Sequence, residues 1–184
     1  MRLFIGVRIP GEIKDSIAEV SGKLKSKVRE ARVVAPDNLH ITLKFLGEVA
    51  EEKIPRISGI LTEITKDCAP FKTEVKGAGV FPDERNPRVF WIGCDSGGKL
   101  KKLNALIENR LETEGFKKES RFKEHITIAR FKSTPRASFM EELIEKYREK
   151  TFGVMNIAEV ELIKSDLTPS GPTYTSLRKF PIDG

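Results

Sequence analysis

The 184 residues carry 33 Lys+Arg against 27 Asp+Glu, a net charge of +6, and 39% are hydrophobic, which is enough for one sizeable core and too much for a disordered chain. An excess of base, with an isoelectric point near 9.3, favours polyanionic partners such as RNA. Cys68 and Cys94 lie far apart with no C-x-x-C and no nearby histidine, so neither a disulfide framework nor a zinc site is suggested and two buried, reduced thiols are the expectation.

Residues 2 to 9 alternate, with Leu3, Ile5, Val7 and Ile9 on one face, and Pro10-Gly11 ends this first strand. Its apolar run is broken by Arg8 and Pro10, too short to span a membrane and without a signal-peptide cleavage pattern, so a cytoplasmic protein is expected. Ile13, Ile17, Val20, Leu24 and Val28 then form an apolar stripe on a charged helix. Pro36-Asp37-Asn38 turns the chain into a strand over Leu39 to Leu46, closed by Gly47. A second helix carries Ile54, Ile57, Leu61 and Ile64, with Pro55 tolerable only in its first turn, and Cys68-Ala69-Pro70 ends it. From Phe71 to Phe81, Gly77 and Gly79 interrupt a strand and predict a bend or bulge, followed by a turn-forming loop over residues 82–87.

At this point the chain begins again. Val89-Phe90-Trp91-Ile92-Gly93 resembles Leu3-Phe4-Ile5-Gly6, and a helix with Leu100, Leu103, Ile107 and Leu111 on one stripe leads to a strand from His125 to Phe131. A further helix bears Phe139, Met140, Leu143, Ile144 and Tyr147. The tail supplies Val160 to Ile163, a turn at 168–172 and a last strand from Tyr174 to Phe180, read together as a hairpin. The fold class expected is α+β: a bilobal, pseudo-twofold duplication with two antiparallel sheets facing a central cleft and helices packed outside, all within one domain over residues 1–184.

The duplicated tetrapeptides are His40-Ile41-Thr42-Leu43 and His125-Ile126-Thr127-Ile128, and they contain both histidines of the chain. A lone histidine on a strand is more often a satisfied structural residue than a catalyst. Eleven threonines in 184 residues make a threonine two places after both histidines a coincidence of roughly 0.4%, so the repetition carries the signal. Strand alternation sends each His and Thr to one face and their apolar neighbours to the other. Lys117, Lys118, Arg121, Lys123, Arg130, Lys132 and Arg136 flank the second motif and suit phosphates, or merely solvated charge. Charged residues make up 33% and glutamine is absent, a composition that fits a heat-adapted source.

These residues resemble the 2H phosphoesterase superfamily, named for two H-x-T-x motifs on two similar lobes. Within it, H-I-T-L-K-F-L-G at 40–47, H-I-T-I-A-R at 125–130, Phe81-Pro82, Pro87-Arg88-Val89, Tyr174 and Phe180-Pro181 resemble the RNA 2',3'-cyclic phosphodiesterases, also called 2'-5' RNA ligases. The resemblance spans essentially the whole chain. It implies hydrolysis of a 2',3'-cyclic phosphate at an RNA end to a 2'-phosphate, with 2',5' joining as the reverse chemistry. It further implies no cofactor, no ATP and no metal, RNA (including tRNA fragments) as partner, no membrane association, and a monomer.

The chemistry wants two imidazoles, one to take a proton from water and one to give a proton to the departing ribose oxygen. The resemblance assigns His40 as proton donor and His125 as proton acceptor; the residues themselves do not distinguish the two. Thr42 and Thr127 would donate to the non-bridging oxygens. Arg130 and Lys44 are the expected substrate-binding cations, Lys44 by alternation and Arg130 only if a twist or bulge turns it to the cleft. Phe4 and Tyr174 can stack on a base, with core packing the commoner role for each. Two other readings stay open: the same mechanism on another cyclic or 2',5'-linked nucleotide, and a non-catalytic RNA-binding module with a steep salt dependence.

Overall fold

The computed structural model describes residues 1–169 and 171–184; Ser170, within the turn expected at 168–172, lies outside the described residues. Among the described residues the strands are β1 (Arg2–Arg8), β2 (Ala31–Val33), β3 (His40–Glu48), β4 (Phe71–Phe81), β5 (Val89–Asp95), β6 (His125–Phe131), β7 (Thr151–Ile157), β8 (Glu159–Thr168) and β9 (Gly171–Pro181). The helices are α1 (Gly11–Lys27), α2 (Ile54–Lys66), α3 (Lys99–Glu112) and α4 (Ala137–Tyr147).

All strand pairs are antiparallel, in the order β7-β4-β5-β6-β3-β1-β8-β9, with β2 added beside β6. The sequence β7-β4-β5-β6 on one side mirrors β9-β8-β1-β3 on the other. Each is the sheet of one lobe. The two meet where Ile41 of β3 pairs with Ile126 of β6, the middle residues of the two motifs. From that junction the motif strands diverge, and β2 fills the space beside the outer half of β6 through Ala31, Arg32 and Val33.

The lobes do not coincide with the halves of the sequence. β4 leaves the first half to pair with β5, while β8 leaves the second half to pair with β1. Helices cross over as well: α1 packs on β7 and β2, α3 packs on β3 and α2, and α2 also covers β9. This exchange makes one core of the two lobes. The α1 stripe buries Ile13, Ile17, Val20 and Leu24, and α2 buries Ile57, Ile60, Leu61 and Ile64. Each such aliphatic side chain contributes about 1.5–3 kcal/mol of transfer free energy. Pro55 lies in the first turn of α2, where its missing N–H costs nothing.

The bend expected between residues 71 and 81 is present. β4 shifts register against β5 between Val75 and Ala78, and Gly77 adopts φ +74°, a conformation strained for any residue with a Cβ. Cys68 and Cys94 are free thiols, yet both are half-buried where burial was expected; desolvation pushes the Cys94 thiol up to about 12.

Candidate active site

The pairing of Ile41 with Ile126 sets the geometry of the motifs. In an antiparallel ladder this register places His40 across from Thr127 and Thr42 across from His125. Ile41 and Ile126 are both fully buried, so the four polar residues project together to the other face. They form a parallelogram with the imidazoles at one pair of corners and the hydroxyls at the other. Diagonal neighbours in such a ladder lie about 7–8 Å apart, their β-carbons somewhat closer, which leaves room for one phosphate between two imidazoles.

Each imidazole is oriented by the carbonyl two residues before it. Nδ1 of His40 lies 2.6 Å from the Asn38 carbonyl oxygen, and Nδ1 of His125 lies 2.7 Å from that of Lys123. A carbonyl oxygen only accepts, so each Nδ1 carries the proton and donates it. Each Nε2 is left as the nitrogen that exchanges protons in the cleft. The turn that presents the Asn38 carbonyl is held by Arg8, whose guanidinium donates to the Asp37 carbonyl at 2.6 Å and to the Tyr174 carbonyl at 3.2 Å. Arg8 is itself anchored 3.5 Å from the buried carboxylate of Glu161.

Aromatic rings wall both corners. Phe4 lies 4.7 Å from the His40 ring and Tyr174 meets it edge-on at 5.2 Å. Phe81 meets His125 edge-on at 5.0 Å, with Trp91 at 6.4 Å. Phe4 is 3% exposed, so it packs against the imidazole and offers no face to a base. The sequence similarity of β1 and β5 is not their structural equivalence. Gly6 is paired with Thr42 where Trp91 is paired with Thr127. A Cβ on Gly6 would come within 2.8 Å of the Ile41 carbonyl oxygen and 3.6 Å of His40, so this glycine admits the His40 ring.

Burial is the largest influence on both histidines and disfavours their charged forms. It brings His40 down to about 4, the Asn38 hydrogen bond opposing and the positive charges of Arg8, His125 and Arg130 reinforcing the shift. His125 is lowered for the same reason, with Lys123 and Arg130 adding to the effect. Both rings are thus neutral at pH 7 in a site whose field is positive. Neither Thr42 nor Thr127 bonds a partner through its hydroxyl among the described residues, so both can donate into the cleft. Nor do any three His, Cys, Asp or Glu side chains of the described residues converge as metal ligands.

Beyond the threonines both strands carry the same irregularity. β1 against β3 and β5 against β6 shift register by one residue, at Leu43 and at Ile128. The extra residue reverses the alternation beyond it. On β6 this turns Arg130 from the core face to the exposed face, opposite Val89. On β3 the same shift turns Lys44 inward, and the expectation that Lys44 binds substrate is corrected. Its side chain is fully buried, with Nζ 2.5 Å from Glu108 of α3 and 2.9 Å from the Lys117 carbonyl. Phe45 takes the cleft-facing place instead, opposite Phe4 and 52% exposed.

Strand alternation therefore identifies the four motif residues and misplaces Lys44. Arg8, Phe45 and Lys123 escape it. Lys123, exposed and with its Nζ 3.8 Å from the centre of the Trp91 ring, is marked in the sequence only as one of the cations that flank the second motif.

A doubled strand-helix-strand plan that brings two H-x-T-x strands together at its centre is the plan of a phosphoesterase. The model of the LigT-like phosphoesterases matches this chain twice, over residues 7–91 and 92–174. The RNA 2',3'-cyclic phosphodiesterase of Archaeoglobus fulgidus is 40% identical over 181 residues, covering 98% of this chain and 99% of that one. The protein of the same name from Thermotoga maritima is 37% identical over 186 residues, covering 100% and 97%. Among solved structures, a protein of Thermus thermophilus superposes with a TM-score of 0.82 at 33% identity, covering 99% of this chain and 98% of that one. Escherichia coli LigT complexed with 3'-AMP superposes with a TM-score of 0.78 at 27% identity, covering 100% and 98%. The chain belongs to the LigT-like phosphoesterases, within the 2H superfamily.

Proposed function

We propose that this protein hydrolyses RNA ends closed as 2',3'-cyclic phosphates, leaving 2'-phosphomonoesters, with His40 and His125 as general acid and base. The observation that carries the reading is the pair of carbonyl-bound Nδ1 atoms, which leaves two Nε2 atoms at opposite corners of a site wide enough for one phosphate. His125 Nε2 takes a proton as water attacks phosphorus. The bond from phosphorus to the 3'-oxygen breaks as His40 Nε2 protonates that oxygen. Negative charge grows on the non-bridging oxygens, and the Thr42 and Thr127 hydroxyls, with Arg130, donate to it. Each proton transfer is worth about 10²–10⁴-fold.

Burial keeps His40 neutral at pH 7, so its proton arrives with the substrate. The anionic phosphate favours the charged imidazole and offsets the desolvation and the positive neighbours that disfavour it. A 5'-hydroxyl in place of water gives a 2',5' linkage by the same proton transfers, and ligation is part of the proposal. All four motif residues come from one chain, so a monomer suffices. RNA is the partner, met in the cytoplasm; no helix among the described residues is long and apolar enough to cross a membrane.

The test is hydrolysis of an oligoribonucleotide ending in a 2',3'-cyclic phosphate, in EDTA, by the parent protein, His40→Ala and His125→Ala. Release of a 2'-phosphate by the parent, reduced at least 100-fold in each variant, is expected. A 3'-phosphate product, or full activity in either variant, refutes the assignment.

A further inference from the structure

Arg130 has a neighbour that the sequence does not announce. β2 lies antiparallel to β6, with Ala31 opposite Phe131, Arg32 opposite Arg130 and Val33 opposite Ala129. Directly opposed residues of a ladder project to the same face. Ala31 and Val33 pack against the core beside Phe131 and Ala129, so Arg32 stands with Arg130 on the exposed face. Its position is firmly set, because the backbone beyond β2 is held to β6 by the Val34 N–H, which donates to the Ile128 carbonyl at 2.8 Å.

Two like charges facing each other across neighbouring strands cost stability. Nothing within the described chain offsets that cost. Among the described residues neither arginine makes an ion pair or a side-chain hydrogen bond. Other surface cations, Lys72 and Arg121 among them, also lack an ion pair among the described residues; what sets Arg32 and Arg130 apart is that they face each other across neighbouring strands. The unpaired guanidiniums stand at the end of the cleft nearer His40, since β6 runs outward from Thr127, which faces His40, to Arg130. An anion completes such a pair, and the planar fork of a guanidinium fits a phosphate in two hydrogen bonds.

The two arginines are not equivalent. Arg130 acts electrostatically on both imidazoles, whereas Arg32 stands one strand farther out. An RNA end offers anions in that order: the cyclic phosphate at the reacting position, then the phosphodiester on the 5' side of the terminal nucleotide. We infer that Arg32 is a substrate-binding residue for that second phosphate, with Arg130 left to the first. The inference rests on the phosphodiesterase reading above. It makes the protein discriminate between an RNA end and a free nucleoside cyclic phosphate.

The experiment compares the parent protein with Arg32→Ala on two substrates: an oligoribonucleotide ending in a 2',3'-cyclic phosphate, and a nucleoside 2',3'-cyclic phosphate with a free 5'-hydroxyl. Arg32→Ala lowers kcat/KM on the oligonucleotide by about 10-fold or more, chiefly through KM, and leaves the nucleoside substrate within twofold. The slope of log affinity against log salt falls by about 0.7 for the oligonucleotide, one phosphate contact on a single strand. The melting temperature stays constant or rises, because a repulsion has been removed. Equal loss on both substrates, or no loss on the oligonucleotide, overturns the assignment. Should the parent hydrolyse neither substrate, the phosphodiesterase reading falls by itself. Anisotropy of a labelled oligonucleotide ending in a 2'-phosphate then decides this inference: a salt slope lowered by about 0.7 in Arg32→Ala supports it, and an unchanged slope refutes it.

Discussion

Replacing Lys44 by methionine separates the buried position of this side chain from the cleft-facing one that strand alternation implies. The Lys44 side chain has no exposure and Glu108 is 2% exposed, so solvent does not screen the pair. Glu108 Oε2 also accepts the backbone N–H of Glu119 at 3.1 Å, while its Oε1 has no partner among the described residues. Removing the ammonium leaves a buried carboxylate half satisfied and frees the Lys117 carbonyl from its donor. Breaking a buried pair from one side costs about 3–5 kcal/mol. In a chain of this size each kcal/mol moves the midpoint by about 2–4 °C, so Lys44→Met should melt about 6–20 °C below the parent. Scanning calorimetry, with guanidinium unfolding alongside, reads the change. Lys44→Met/Glu108→Leu should recover most of the loss, because no charge is then stranded. A melting temperature within about 2 °C of the parent, with KM raised, would refute the burial argument and return Lys44 to the substrate. The pair also holds the backbone at Lys117 and Glu119, on the approach to Lys123 and His125, so kcat should fall in the single variant even where it remains folded.

Four further outcomes are expected. The unfolded chain binds a proton on His40 near pH 6.5, the folded chain only near pH 4; stability is therefore lost as pH falls through that window, by on the order of 3 kcal/mol. His125 contributes in the same direction, and urea unfolding at pH 7 and 4.5 should show a smaller loss in His40→Gln than in the parent. Gly6→Ala pushes a methyl against the Ile41 carbonyl at 2.8 Å and should cost about 1–3 kcal/mol together with activity. Gly59→Ala, in open space within α2, should stabilise by about 0.5–1 kcal/mol in the same denaturation assay. Arg130→Gln should reduce kcat/KM at least 10-fold on oligonucleotide and nucleoside substrates alike; steady-state kinetics showing loss only on the oligonucleotide would exchange its role with that of Arg32.

Much of the fold is written locally. The spacing of Ile13, Ile17, Val20 and Leu24 admits only one buried stripe, and α1 buries those four residues. The alternation around His40-Ile41-Thr42 is obeyed because both lobes cover Ile41 and Ile126 from the same side, leaving the partner residues for the cleft. β2 is invisible in sequence because three residues show no period, and β7 because Gly153 breaks its apolar run and exposed Val154 blurs the alternation. The lower bound of β9 is equally hidden: ladder bonds to β8 extend it to Gly171, ahead of the strand expected from Tyr174.

The sequence by itself determined the order of the four helices and of the strands other than β2 and β7, the duplication and the four residues that the motif strands turn outward, since each follows from side-chain period and from the identity of two short segments. Only the tertiary structure decided the rest. A bulge depends on how a strand meets its neighbour, and the bulges at Leu43 and Ile128 sent Lys44 into the core to Glu108 and brought Phe45 and Arg130 to the cleft face. The exchange of β4 and β8 between lobes depends on pairing across most of the chain. So does the meeting of Arg32 with Arg130, 98 residues apart, which no local pattern records.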